Sequence, residues 1–225
     1  MAAAPTFAEM EYQRVPLDEI KSQYETLHRR LPSADARDIV DVVREWTRLR
    51  SRYDTMSSLN QVRYTIDTRN TAIKDERKFL DDQEPTVEEW NTSMRRALLA
   101  HPQRAALEKE FGRQFISSME TAVQTFDPKI AEHLKKQSDL SMQYTDLLAS
   151  AKIEFQGKTY NLSGLEQFQH NENRDVRHAA SPKRFEFFQS NGANLDRIYD
   201  EVVKVRHDMA LKLGYPNYIP LAYKL

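Results

Sequence analysis

The chain has 225 residues, of which 40% are hydrophobic, enough apolar content to build one large domain or two small ones. Its 33 Lys plus Arg balance 34 Asp plus Glu, so no general electrostatic attraction to nucleic acid or an anionic membrane exists. Having no cysteine, it has no disulfide, thiolate metal site or cysteine nucleophile.

Residues 1–9 carry no basic segment followed by an apolar run, and nowhere does an apolar stretch approach the roughly 18 residues of a membrane span. A soluble, cytoplasmic protein is expected. Helices are predicted over residues 17–30, 35–67, 70–82, 86–100, 103–111, 113–126 and 128–150. The strongest lies at 35–67, where Ile39, Val42, Trp46, Leu49, Tyr53 and Met56 recur at three- and four-residue steps, the period of one helix face. Ser33 or Asp35 can cap its start. Pro16, Pro32, Pro102, Pro128 and Pro216 fall between such runs, as do the helix-ending positions Gly112, Gly192 and Gly214.

Ile153-Glu-Phe155, Gln156-Gly157 and Lys158-Thr-Tyr160-Asn-Leu162 alternate apolar and polar residues about a glycine turn, which predicts a β-hairpin. Pro182, near Phe187-Phe188, is placed to kink a following helix beside a cleft. A second stripe, Leu195, Ile198, Val202, Val205 and Met209, ends at Gly214, and it and the stripe at 35–67 could pack as antiparallel neighbours. The class is mostly α: a multi-helix lobe of long antiparallel helices with one small β-hairpin near residues 153–162. The terminal apolar stretch Tyr218 to Leu225 begins like a new helix without a polar end, as though cut.

Motifs for chemistry are sparse. His-Glu-x-x-His, which sets two imidazoles one helical turn apart with a general base beside them, is absent: no two of His28, His101, His133, His170, His178 and His207 lie four apart. Glu166 with His170 and Asp175 with His178 could each share a helix face, but they read more simply as surface pairs. Glu25 and His28 make one Glu-x-x-His, and the second copy that a di-iron bundle needs does not occur. No glycine-rich phosphate loop and no Gly-x-Ser-x-Gly elbow is found. The aromatics Trp46, Trp90, Phe111, Phe115, Phe126, Tyr144, Phe185, Phe187 and Phe188 are expected in the core. Residues 74–78, Lys-Asp-Glu-Arg-Lys, read as a solvated helix face.

The order of several segments resembles the N-terminal part of the oligoendopeptidase F family, within the thimet-oligopeptidase-like zinc metallopeptidases. They are Tyr53-Asp-Thr-Met-Ser-Ser-Leu59 leading to Asp67-Thr-Arg-Asn70, Asp139-Leu-Ser-Met-Gln-Tyr144 before the hairpin, Leu162-Ser-Gly-Leu165, Asn173-Arg-Asp-Val-Arg177 and Leu195-Asp-Arg-Ile-Tyr199. The most specific runs from Val205 through Arg206, Asp208, Ala210, Leu213-Gly214-Tyr215 and Asn217-Tyr218. It is similar to the family pattern of Arg, three residues, Ala, then Leu-Gly, an aromatic and Asn-aromatic.

The resemblance implies a two-lobed helical enzyme whose deep channel admits short peptides to a single zinc. The family's zinc ligands lie downstream of the matched segment, so none carries over. The expected site is therefore empty: no catalytic, cofactor-binding or metal residue in this chain, with zinc in a missing C-terminal part. Arg206 and Asp208 are expected as helix-surface or interlobe ion-pair residues. The organisation is expected to be a helical region at 1–150, a hairpin with connecting helices at 151–190, and the start of a catalytic domain at 191–225. The chain alone should be inactive, and its partners should be the missing half, or a second copy through exposed apolar surface. An alternative is a non-catalytic helical scaffold descended from such an enzyme.

Overall fold

The structure, a computed structural model, describes residues 6–225. Its helices are α1 (Leu17–Arg30), α2 (Asp38–Ile66), α3 (Thr71–Ala100), α4 (Arg104–Phe111), α5 (Arg113–Thr125), α6 (Ala131–Ala149), α7 (Leu162–Gln169), α8 (Arg174–Ser190), α9 (Gly192–Lys212) and α10 (Tyr218–Ala222). One hairpin, β1 (Ile153–Phe155) with β2 (Lys158–Tyr160), interrupts them. The mostly α expectation holds. Among the described residues, no helix is long and apolar enough to cross a membrane.

The apolar stripe of α2 is buried from Ile39 through Tyr53, with Met56 half-buried at its edge. Asp35, not Ser33, caps the helix: its Oδ1 accepts from the backbone N–H groups of Arg37 and Asp38 at 2.8 and 2.9 Å, satisfying donors that have no partner inside the helix. The hairpin turn also follows from local sequence. Phe155 pairs with Lys158 across a two-residue loop, and Gln156 and Gly157 both take positive φ, 49° and 76°, the backbone of a type I′ turn. Leu162, expected on the second strand, instead opens α7, because the Asn161 side chain caps that helix by accepting from Gly164 N–H.

Three expectations need correction. Residues 70–82 and 86–100 are one helix, α3, with Pro85 inside it. Proline removes the N–H that the Asp81 carbonyl would receive and normally breaks a helix. Here Leu80, Pro85, Val87, Met94 and Leu98 are all buried, and packing on both sides of the proline outweighs the lost bond. Likewise Gly192 does not end a helix but opens α9. The stripes of α2 and α9 are also not each other's partners: α2 packs chiefly on α1, α3 and α4, and α9 on α6 and α10. Periodicity identifies a buried face but not what covers it.

The core is divided. A large cluster joins α1 to α5 and includes Ile20, Tyr24, Ile39, Val42, Trp46, Leu80, Met94, Leu98, Leu107 and Ile116. Two small clusters follow. Ile130, Met209, Ala210 and Leu221 form one, and Ile153, Phe155, Leu165 and Ala180 form the other, under the hairpin.

Candidate functional site

The three residue pairs weighed as metal ligands stay apart. Glu166 and His170 approach to only 4.0 Å, with both side chains mostly exposed. Asp175 and His178 are exposed at the start of α8. Glu25 and His28 lie on α1 at the edge of a 550 Å³ depression shared with Lys21, Tyr24, Arg29, Trp90 and Ser93. There burial pushes the His28 imidazole below its ordinary pKa, because a partly desolvated ring disfavours the charge. Among the described residues, no group of three His, Asp or Glu side chains could hold a metal ion.

Side chains expected to play a passive part do more than that. Where α1, α2 and α3 meet, Tyr24 O–H and Trp46 Nε1–H both donate to Asn91 Oδ1, the latter at 3.1 Å. Burial lifts the Tyr24 phenol to about 12, so it stays a donor at all ordinary pH values. Residues 74–78 are not a free solvated face. Lys74 pairs with Asp146 of α6, Glu76 with Arg14 and Tyr12 from the N-terminal segment, and Arg77 with the buried Asp81. The first two pairings tie α3 to segments on both sides of it, and the third braces α3 internally. Of the aromatics expected inside, Trp46 and Phe126 are buried, but Tyr144 is 47% and Phe185 65% exposed.

Residues 206–218 build a corner between α9 and α10. Gly214 adopts φ 87°, Tyr215 N–H donates to the Ala210 carbonyl at 2.9 Å and Gly214 N–H to Leu211 at 3.0 Å, the paired bonds of a Schellman helix stop. Asn217 caps α10 by accepting from Ile219 N–H at 3.0 Å. Arg206 lies over the Tyr218 ring, 5.4 Å from its centroid, and donates from Nε to Gln137 of α6 at 3.1 Å. Asp208 is exposed. Arg206 thus works as a packing residue between helices, while the small Ala210 is fully buried where Tyr215 folds back.

A larger concavity lies elsewhere, where the C-terminal ends of α2 and α6 meet the connections flanking the hairpin and α8. It measures about 1140 Å³ and is lined by residues from Thr65 to Arg69, Lys74, Tyr144, Asp146, Leu148 to Lys152, Asn161 to Ser163, Arg184 and Phe188. Sequence reasoning pointed to a cleft near Phe187-Phe188, and Phe188 does line this one. Its other walls come from segments distant in sequence, and no local motif announces them.

The pattern that defines the Peptidase M3 N-terminal domain matches residues 7–126. The chain belongs to the M3 peptidase family. Solved structures extend the likeness to almost every residue. A protein provisionally named oligoendopeptidase F superposes with a TM-score of 0.93 at 36% identity, over 98% of this chain and 39% of that one. PZ peptidase A, solved with an inhibitor, gives 0.93 at 35% over 97% and 39%. A provisionally named oligoendopeptidase F from Bacillus anthracis gives 0.94 at 34% over 99% and 41%. The chain therefore spans about two-fifths of the length of these solved relatives. No curated protein matches it.

Proposed function

We propose that this chain forms the N-terminal helical lobe of an oligoendopeptidase F-type zinc metallopeptidase that cleaves short peptides, and that it has no peptidase activity by itself. The observation that carries this reading is the superposition: nearly all of the chain coincides with about two-fifths of peptidases a third identical to it. The lobe's part is architecture. It supplies one wall of a channel that excludes folded chains, since a folded substrate would have to unfold, at a cost of several kcal/mol, to enter.

The residues of this chain do not fit a zinc ion. Glu25 with His28, Glu166 with His170, and Asp175 with His178 are separate two-donor pairs on different elements, whereas a catalytic zinc takes three protein ligands and keeps a position open. The proposal therefore assigns the zinc to other residues of the full enzyme and routes no step through this lobe. Its surface is consistent with a covering partner. Tyr199, Val203 and Leu211 lie on one four-residue ridge of α9, and Ile219 on α10 and Tyr223 just after it are exposed as well.

The test is cleavage of a quenched-fluorescent heptapeptide alongside elemental analysis. The 225-residue chain is expected to bind no stoichiometric zinc and cleave nothing. Extended at Leu225 by the remaining part of the Bacillus anthracis relative, it should cleave in a chelator-sensitive way. Chelator-sensitive cleavage by the 225-residue chain alone would sink the proposal.

A further inference from the structure

We infer that the 1140 Å³ groove between α2, α6, the hairpin and α8 is a peptide subsite that takes the C-terminal residue of a short substrate through its free carboxylate. This rests on the reading of the chain as a lobe of a peptidase for short peptides. The groove exceeds the roughly 300–1,000 Å³ of small-molecule pockets, so it has room for several residues of an extended peptide.

Charge selects which end of a peptide enters. Four cations line the groove, Arg69, Lys74, Lys152 and Arg184, against two carboxylates, Asp67 and Asp146. Both carboxylates are committed: Asp146 pairs with Lys74 and accepts from Tyr64 O–H at 2.7 Å, and Asp67 lies 3.5 Å from Arg69. Lys152 and Arg184 are left without a carboxylate partner among the described residues. Two unpaired cations facing one concavity favour an anion and disfavour the ammonium end of a peptide.

Apolar side chains decide what kind of anion. Ile66 is 72% exposed and Tyr144 47%, and Phe188 lies half-buried with the Arg184 guanidinium 6.0 Å from its ring centre. Large apolar groups left open beside unpaired cations suit an apolar side chain attached to a carboxylate. Ser163 and Thr68 add neutral polar groups for peptide N–H and C=O. A bare inorganic anion would leave this apolar surface uncovered.

The experiment is a calorimetric titration of the 225-residue chain at low salt with an N-terminally blocked tetrapeptide ending in leucine. Its C-terminal amide and inorganic phosphate are titrated beside it. The free acid is expected to bind about tenfold more tightly than the amide. Lys152→Ala and Arg184→Ala should each weaken the acid about fivefold and leave the amide unchanged. Lys152 is exposed in the connection before β1, so its variant tests the groove without risk to folding. Equal affinity for acid and amide overturns the inference, as does unchanged binding in both variants, or phosphate binding as tightly as the peptide. Chelator-sensitive cleavage by the extended polypeptide is read separately, so the groove can fail while the peptidase assignment stands.

Discussion

The two halves of the chain solve the same packing problem differently. Residues of α1 to α5 share one continuous core around Trp46, Met94 and Leu98, sealed by the Tyr24–Trp46–Asn91 hydrogen bonds. From Ile130 onward two separate clusters of four buried residues form, Leu140, Ala151, Ile198 and Val205 are buried outside them, and Tyr144, Phe185, Tyr199, Val203, Leu211, Ile219, Tyr223 and Leu225 remain exposed. Apolar surface buried from water is the main stabilising term in folding. The first half therefore holds most of the buried apolar surface, and the second leaves more of its large apolar side chains exposed.

The largest effect should come from the first half. Trp46→Ala removes a fully buried indole and leaves Asn91 short of a donor, and is expected to cost about 3–5 kcal/mol by urea unfolding, with loss of the entire fold. Met209→Ala, in the smaller cluster beside Ala210 and Leu221, should cost about 2–3 kcal/mol. Hydrogen exchange should then show α9 and α10 opening while α2 and α3 stay protected. If Met209→Ala melted both halves as one unit, the division would be wrong.

Two smaller effects depend on pH. Hydrogen bonding from Arg14 holds the Glu76 carboxyl below its usual range, so the pair stabilises the fold at neutral pH and that stability is lost as pH falls through the folded-state value. Glu76→Gln should cost about 1 kcal/mol at pH 7, and its melting temperature should converge with that of the parent as pH falls through the lowered Glu76 value. Glu84 is the opposite case. Burial against the α2–α3 seam, together with Glu88 and Asp54, raises its carboxyl, so the folded state prefers the proton and stability falls as pH rises through that value. The Glu84 residue is nevertheless exposed, so solvent screens most of the penalty. Glu84→Gln should therefore stabilise by only about 0.5 kcal/mol at pH 7 and by nothing below about pH 4. A destabilised Glu84→Gln protein at pH 7 would show that the charge is compensated.

The local features were legible where a short stretch decides the outcome. The stripe from Ile39 to Tyr53, the Gln156-Gly157 turn and the stop at Gly214 each follow from spacing or from a positive φ within a few residues. The family likeness was also legible, through the ordered residues from Arg206 to Tyr218. What escaped was long-range. Pro85 reads as a break until the residues packed on either side of it are known, and nothing in two apolar stripes tells that α9 will choose α6 instead of α2. The groove was hidden for the same reason: Ile66, Tyr144, Lys152 and Arg184 are ordinary residues in four distant segments, and only the fold brings them together. Lys74 likewise looks like a solvated charge until Asp146 is placed beside it.

The central claim is that the chain is one lobe of an M3 peptidase, built with a second half that needs cover. Hydrogen exchange over α9 and α10 tests it most directly, comparing the 225-residue chain with the polypeptide extended at Leu225 by the remainder of the Bacillus anthracis relative. The account predicts that Tyr199 to Tyr223 gain protection by about tenfold or more in the extended protein, while α2 and α3 are unchanged. Identical exchange over α9 and α10 in both proteins would contradict it.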